Sequence, residues 1–321
     1  MPFTAQTMFW PGTRAILLVH GIGDASTGKD GAFPIDVIKS ALGTDAEKTA
    51  IYRLNYDFIN DWAAQKVQFG AGISALTAAL KLKIGNDTTS ETIADYVGDV
   101  LWPLFSEDIR FAVRDAFLAQ LEQMQIDRGE SALRNGDDPL DYQITIIAHS
   151  LGCFHTYEVL AAAASESSHH LRPASDVVTF TSVILMASPV QLIRTLADGL
   201  RALIPGSNTL ATLSKTPLAI PAETRKGGAV KCTKDFVSIT GNFDPVGGHL
   251  LGKKLAWAYM NIPGQRSIIV PQKLLNINTR EATALALAHS VADGGPSVND
   301  PHSWSAYIET ESGEVRRAVL A

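Results

Sequence analysis

Short uninterrupted apolar runs recur along the chain: RAILLV at 14–19, AIYRLNY at 50–56, YQITIIAH at 142–149, VTFTSVILMAS at 178–188 and DFVSITGN at 235–242. A strand with one wet face alternates apolar and polar residues, so unbroken runs of this length predict strands covered on both faces. Between the runs the period changes. From about Ser90 to Gln125, Val113, Phe117, Leu121 and Met124 share one helical face, with Pro103 interrupting the pattern upstream. In QLIRTLADGLRALIP, Leu192, Leu196, Leu200 and Leu203 lie opposite Arg194, Asp198 and Arg201. Strands alternating with helices predict βαβ units, and so an α/β fold: a doubly wound, mostly parallel sheet flanked by helices. With 321 residues and neither an internal repeat nor a clear linker, one domain over 1–321 is expected.

Composition narrows the classes. At 46% hydrophobic and 19% charged the chain can bury a full core, which excludes a disordered chain. A net charge of −6 gives no overall electrostatic reason for nucleic acid as a partner. Cys153 and Cys232 are the sequence's 2 cysteines, too few for a disulfide scaffold. The N-terminal MPFTAQTMFWPGTR lacks a basic stretch followed by an apolar run, and nothing reaches the roughly 18 apolar residues of a membrane helix. A cytoplasmic location is expected.

The most informative stretch is ITIIAHSLGCFHTYEVLAA, in which an apolar strand runs into Ala148-His149-Ser150-Leu151-Gly152 and leaves as a helix. This is the strand-turn-helix context of a nucleophile elbow. A tight turn there lifts the Ser150 hydroxyl clear of the sheet. Ala148 and Gly152 leave room for close backbone approach, and the Leu151 N–H, at the helix N-terminus, faces a developing oxyanion. A serine acting only as helix N-cap would give the same short pattern.

On these residues, from LLVHG through the elbow to a C-terminal histidine string, the chain resembles the α/β-hydrolases of the serine esterase and lipase type. That resemblance implies a triad in the chain order serine, acid, histidine. The acid it points to is Asp244 in SITGNFDPVGG, after the run at 235–242; a turn aspartate before Pro245 is the plain alternative. For the base it points to His302, since DPHSWSAY resembles the family's C-terminal histidine loop. His289 and His249 remain alternatives. His169 and His170 have no third ligand at metal spacing, and neither metal nor cofactor is called for. Departing from the family, only about thirteen residues precede the first strand, so the usual leading antiparallel hairpin must be absent or reduced to a scrap such as FTAQTMF.

AILLVHGIGDASTGKDG, residues 15–31, has the glycine and lysine spacing of a phosphate loop. Yet three residues intervene after the apolar run, and Asp30 follows Lys29 where a Mg²⁺-binding hydroxyl is needed. The stretch therefore reads as half of an oxyanion hole. Gly21 allows a sharp turn, and the resemblance implies the N–H of Ile22 as second donor, with Gly23 as runner-up. Gly21, Gly23 and His149 are expected to touch substrate.

Residues 189–234 are expected as a lid or cap excursion after the sixth strand, with the 191–204 helix covering an apolar pocket or simply packing on the sheet. The expected activity is hydrolysis of small-molecule or lipid esters, with at most transient interfacial contact with a membrane. Acyl transfer, peptide cleavage and a non-catalytic binding role on the same fold are the competing readings.

Overall fold

Each of the apolar runs becomes a strand. The computed structural model describes residues 3–21, 33–56, 107–165, 180–190 with 193, 233–241, 266–270 and 304–321. In chain order these form β1 (Arg14–Val19), α1 (Ile35–Leu42), a 3-10 turn (Gly43–Lys48), β2 (Thr49–Leu54), α2 (Glu107–Asn135), β3 (Gln143–His149), α3 (Leu151–Ser165), β4 (Phe180–Met186), β5 (Thr233–Gly241), β6 (Arg266–Val270), α4 (Trp304–Thr310) and α5 (Ser312–Leu320). The strands make one sheet in the order β2-β1-β3-β4-β5-β6, every pair parallel.

Successive side chains of a strand point to opposite faces, and here both faces are dry. Leu17 and Val19 of β1, Tyr52 and Leu54 of β2, Ile144 and Ile146 of β3 and Val183 of β4 pack with Val113, Phe117, Leu121 and Met124 of α2 and with Phe154 and Leu160 of α3. Ile16, Leu18, Ile51, Ile147 and Ile184 face the other way, against Ile38 and Leu42 of α1, Trp304 and Ile308 of α4 and Val315 and Val319 of α5. Burying one such aliphatic side chain stabilises the fold by roughly 1.5–3 kcal/mol. These two layers are what make the continuous apolar runs stable as strands.

The order reverses at β1. The chain leaves β1 toward β2 with α1 on one face, then crosses back to β3 with α2 on the opposite face, as crossovers of a single hand require. Connections that diverge in this way open a crevice beyond the C-terminal ends of β1 and β3, where doubly wound sheets bind their ligands. Register keeps those ends level: Val19 pairs with Leu54 on one side and Ala148 on the other.

The residues ahead of β1 form a strap. Phe3–Trp10 joins no sheet and instead lies along α2 and β2. Alternate backbone N–H groups of this extended strap donate to side chains of α2: Gln6 to Gln120 Oε1 at 2.7 Å, Met8 to Asp127 Oδ2 at 2.7 Å and Trp10 to Ser131 Oγ at 2.9 Å. Asp127 Oδ2 also accepts the Tyr52 hydroxyl at 2.7 Å, and Trp10 Nε1 donates to Tyr52 Oη at 2.7 Å. A backbone N–H drawn from water must find an acceptor, and the side chains of α2 supply here what a neighbouring strand would have supplied.

Residues 189–234, expected as a lid after the sixth strand, join β4 to β5 and so follow the fourth strand of this sheet. All but a few of these residues, and of the 191–204 helix among them, lie outside the described residues; Ile193, which is described, is buried.

Candidate active site

The turn between β3 and α3 carries the site. Ser150 has φ +51, in the left-handed region that a residue with a Cβ enters at a cost of roughly 1–3 kcal/mol. What holds it there is visible. Its N–H donates to the Met186 carbonyl of β4 at 3.0 Å, and its carbonyl accepts the Cys153 N–H at 2.9 Å in the first turn of α3. The Cys153 Sγ, beneath the turn, lies 3.3 Å from the Ala148 carbonyl and 3.2 Å from that of Met186. On the adjoining strand, Ala187 also has positive φ, +54, with its N–H on the Ile239 carbonyl of β5. Two strained residues thus stand side by side on one edge of the sheet.

Two glycines allow this turn to sit where it does. A Cβ on Gly152 would lie 2.2 Å from the His20 carbonyl oxygen and 2.4 Å from that of Val19, so α3 begins directly against the end of β1. A Cβ on Gly21 would lie 2.5 Å from Ser150 Cβ and 3.0 Å from Ser150 Oγ. The backbone leaving β1 therefore passes against the serine itself. Ser150 is 1% exposed, and among the described residues nothing is hydrogen-bonded to its Oγ. The first N–H groups of α3, Leu151 included, have no partner within the helix and carry its positive dipole end.

The flanks are aromatic. The His149 ring stacks on Trp304 of α4, centroids 5.4 Å apart and planes at 11°, and is 9% exposed. Trp304 also packs on Phe33 at 6.0 Å. Beyond the end of β2, Tyr56 stacks on His20 at 4.5 Å and meets His155 of α3 edge-on at 5.1 Å. The Tyr56 hydroxyl donates to the His20 carbonyl at 2.6 Å and lies 3.4 Å from that of Gly21.

Both of these histidines are held neutral. Burial pushes His20 down to about 4, against a backbone hydrogen bond at Gly21 that raises it. Burial also pushes His155 down to about 3, helped by the nearby positive charge of Arg110 and by His20. Arg110 is 2.6 Å from Glu158 in an ion pair of which the arginine side chain is 4% exposed.

The structure brings Gly21, His149, Ser150 and Leu151 together. Ile22, Gly23, Asp244 and His302, with His249 and His289, lie outside the described residues. Tyr56, Cys153 and Ala187 have no counterpart among the sequence-based expectations. For Tyr56 a signal existed: Ala50, Tyr52, Leu54 and Tyr56 form one buried period-2 face running past the end of β2.

A parallel sheet that reverses at its first strand, with a serine at positive φ between strand and helix in the crevice so formed, defines an α/β-hydrolase fold. No protein-family model matches the sequence, and no curated protein matches it significantly. Among solved structures, the chain is similar to esterase B from Lactobacillus rhamnosis, inhibited by a tributyrin phosphonate. That likeness has 14% identity and a TM-score of 0.41, over 96% of this chain and 75% of that one. It is also similar to an acetyl ester-xyloside bifunctional hydrolase from Caldicellulosiruptor lactoaceticus, with 11% identity and a TM-score of 0.37, over 92% of this chain and 88% of that one. A puromycin-hydrolyzing peptidase from Mycobacterium tuberculosis has 12% identity and a TM-score of 0.37, over 88% of this chain and 34% of the peptidase. What defines the fold in this chain is its own strand order and elbow.

Proposed function

We propose that the chain is a serine hydrolase that cleaves carboxylic esters, esterase- or lipase-like, through an acyl-enzyme on Ser150. His302 takes the Ser150 proton as Oγ attacks the ester carbonyl carbon, and Asp244 holds the His302 tautomer and stabilises the imidazolium. The carbonyl oxygen, now an oxyanion, is met by the N–H of Leu151 and of Ile22. Collapse of the tetrahedral intermediate breaks the bond to the alcohol oxygen, which takes its proton from His302. Water then repeats the sequence on the acyl-enzyme and frees the acid. Gly21, Gly23 and His149 contact the substrate, and residues 189–234 cover it. A cytoplasmic setting and a lipid or small ester as substrate belong to the same reading.

The observation that carries this is Ser150 at φ +51 with the Gly21 backbone against its side chain. Three others support it. A buried hydroxyl without a partner costs roughly 1–3 kcal/mol, and Ser150 Oγ has none among the described residues, so a base from elsewhere in the chain would satisfy it. Trp304, two residues after His302 in sequence, stacks on His149 next to the serine. Gly241, three residues before Asp244, ends β5 on the same sheet edge. His20 and His155 are poor candidates for the base, since burial keeps both well below the range in which a general base works.

Turnover of p-nitrophenyl esters of increasing acyl length, by wild type, Ser150→Ala, His302→Ala and Asp244→Asn, tests the reading. Ser150→Ala and His302→Ala should each lower kcat by about 10⁴-fold or more. A folded wild type inert to every ester with and without detergent, or a Ser150→Ala variant with undiminished turnover, overturns it.

A further inference from the structure

Tyr56 lies beyond β2, remote in sequence from the elbow, yet its hydroxyl ends on the backbone that faces the serine. Its side chain is fully buried, with the ring between His20 and His155. Its Oη donates to the His20 carbonyl at 2.6 Å, with the Gly21 carbonyl at 3.4 Å. That same His20 carbonyl is the group that a Cβ on Gly152 would strike at 2.2 Å. The end of β1 is therefore gripped from two sides: by the start of α3 through Gly152 and by the Tyr56 hydroxyl. The next residue, Gly21, is the one that passes against Ser150. The core packing of Tyr56 does not require a hydroxyl there, since phenylalanine would stack on both histidines equally well. The oxygen adds a fixed distance between the layer after β2 and the backbone leaving β1.

We propose, on the basis of the serine hydrolase reading above, that Tyr56 is a positioning residue: its hydroxyl sets the β1 end so that the backbone N–H following Gly21 meets the oxyanion formed on Ser150. Tyr56 acts through the His20–Gly21 backbone. Displacing a donor by a fraction of an ångström weakens it in the transition state and leaves ground-state binding almost untouched.

The test compares Tyr56→Phe with Tyr52→Phe in the full chain. Tyr52 is the matched control: it also loses a buried hydroxyl with hydrogen bonds to Asp127 and Trp10, four residues earlier on the same buried face. Three readouts are taken: the rate of Ser150 modification by a fluorophosphonate, kcat and KM on a p-nitrophenyl ester, and the melting temperature. Tyr56→Phe should be phosphonylated and turn over about 10- to 100-fold more slowly, with KM changed less than about twofold. Tyr52→Phe should melt lower and keep wild-type rates. A Tyr56→Phe variant reacting at the wild-type rate, or a Tyr52→Phe variant slowed equally, overturns the inference and leaves the hydrolase reading standing. A wild type that takes no label overturns both. Should Tyr56→Phe not fold, the crystal structure of the wild-type phosphonyl adduct decides. The phosphonyl oxygen about 2.7–3.1 Å from the N–H after Gly21, with Tyr56 Oη still on the His20 carbonyl, supports the inference; Tyr56 Oη turned away from that carbonyl contradicts it.

Discussion

Replacing Gly21 by alanine would put a methyl carbon 2.5 Å from Ser150 Cβ and 3.0 Å from Ser150 Oγ. Carbon atoms in van der Waals contact sit about 3.5–4.0 Å apart, so the two groups must separate by about 1 Å. Neither can yield freely. Ser150 is fixed through its N–H on Met186 and its carbonyl on Cys153, and Gly21 through the neighbouring His20 carbonyl held by Tyr56. Relaxation must therefore be shared between the β1 end and the elbow, and each share displaces a group proposed for the chemistry. Overpacking of this size costs roughly 1–3 kcal/mol of stability. A misplacement near 1 Å costs about 100-fold in rate. Urea unfolding followed by circular dichroism reads the first, and fluorophosphonate labelling kinetics at Ser150 the second. Gly21→Ala that is folded, destabilised within that range and about 100-fold slower to label would agree with the geometry. Wild-type labelling kinetics in this variant would mean that the β1 end does not press on Ser150, and the reasoning would fail.

Other consequences follow from the same contacts. Gly152→Ala meets two carbonyl oxygens at 2.2 and 2.4 Å, and backbone cannot rotate away as a side chain can, so expression of folded protein should fall far more than for Gly21→Ala, as read by soluble yield and melting temperature. His20 and His155 are neutral when folded, with values of about 4 and about 3, against 6.5 when unfolded. The unfolded chain therefore binds protons that the folded chain refuses. Their stabilising contribution is complete above pH 6.5 and is lost as pH falls toward 4 for His20 and toward 3 for His155. By pH 5 the loss is about 2 kcal/mol for each, which urea midpoints at pH 7.5, 6 and 5 would measure; equal midpoints would contradict it. Asp127→Ala removes the acceptor for Met8 N–H, the Tyr52 hydroxyl and Gln123 Nε2. It should cost roughly 3–5 kcal/mol and expose the strap to proteolysis before the rest of the chain unfolds, which limited digestion followed by mass spectrometry would detect.

Much of this architecture could be read from residue order alone, for reasons that particular residues make plain. RAILLV is β1 without a residue to spare, because Arg14 and the His20-Gly21 pair bound the apolar run on both sides. The elbow was legible because small residues at 148 and 152 and a serine between strand and helix have few other uses. Continuous apolar runs, however, say nothing about faces: Leu17 and Leu18 look alike in sequence, yet one packs under α2 and α3 and the other over α1 and α5. β6, with only RSIIV, was too short to stand out from its surroundings. The helix expected to end near Gln125 continues to Asn135, because its later turns carry Asp127, Arg128 and Ser131. Those residues look solvated in sequence and are buried in the structure, where the strap and neighbouring backbone engage them. The period-2 face marks Tyr56 as buried, but the partner of its hydroxyl is a backbone carbonyl, which no side-chain pattern reveals.

Ser150, strained at the end of β3, is proposed as the nucleophile. Treating the folded protein with a fluorophosphonate, digesting it and mapping the modified peptide by mass spectrometry tests this most directly. A single adduct on Ser150, absent from Ser150→Ala and slowed at acid pH as the base protonates, is expected. Folded protein that stays unmodified with detergent present, or an adduct on another residue that persists in Ser150→Ala, would contradict it.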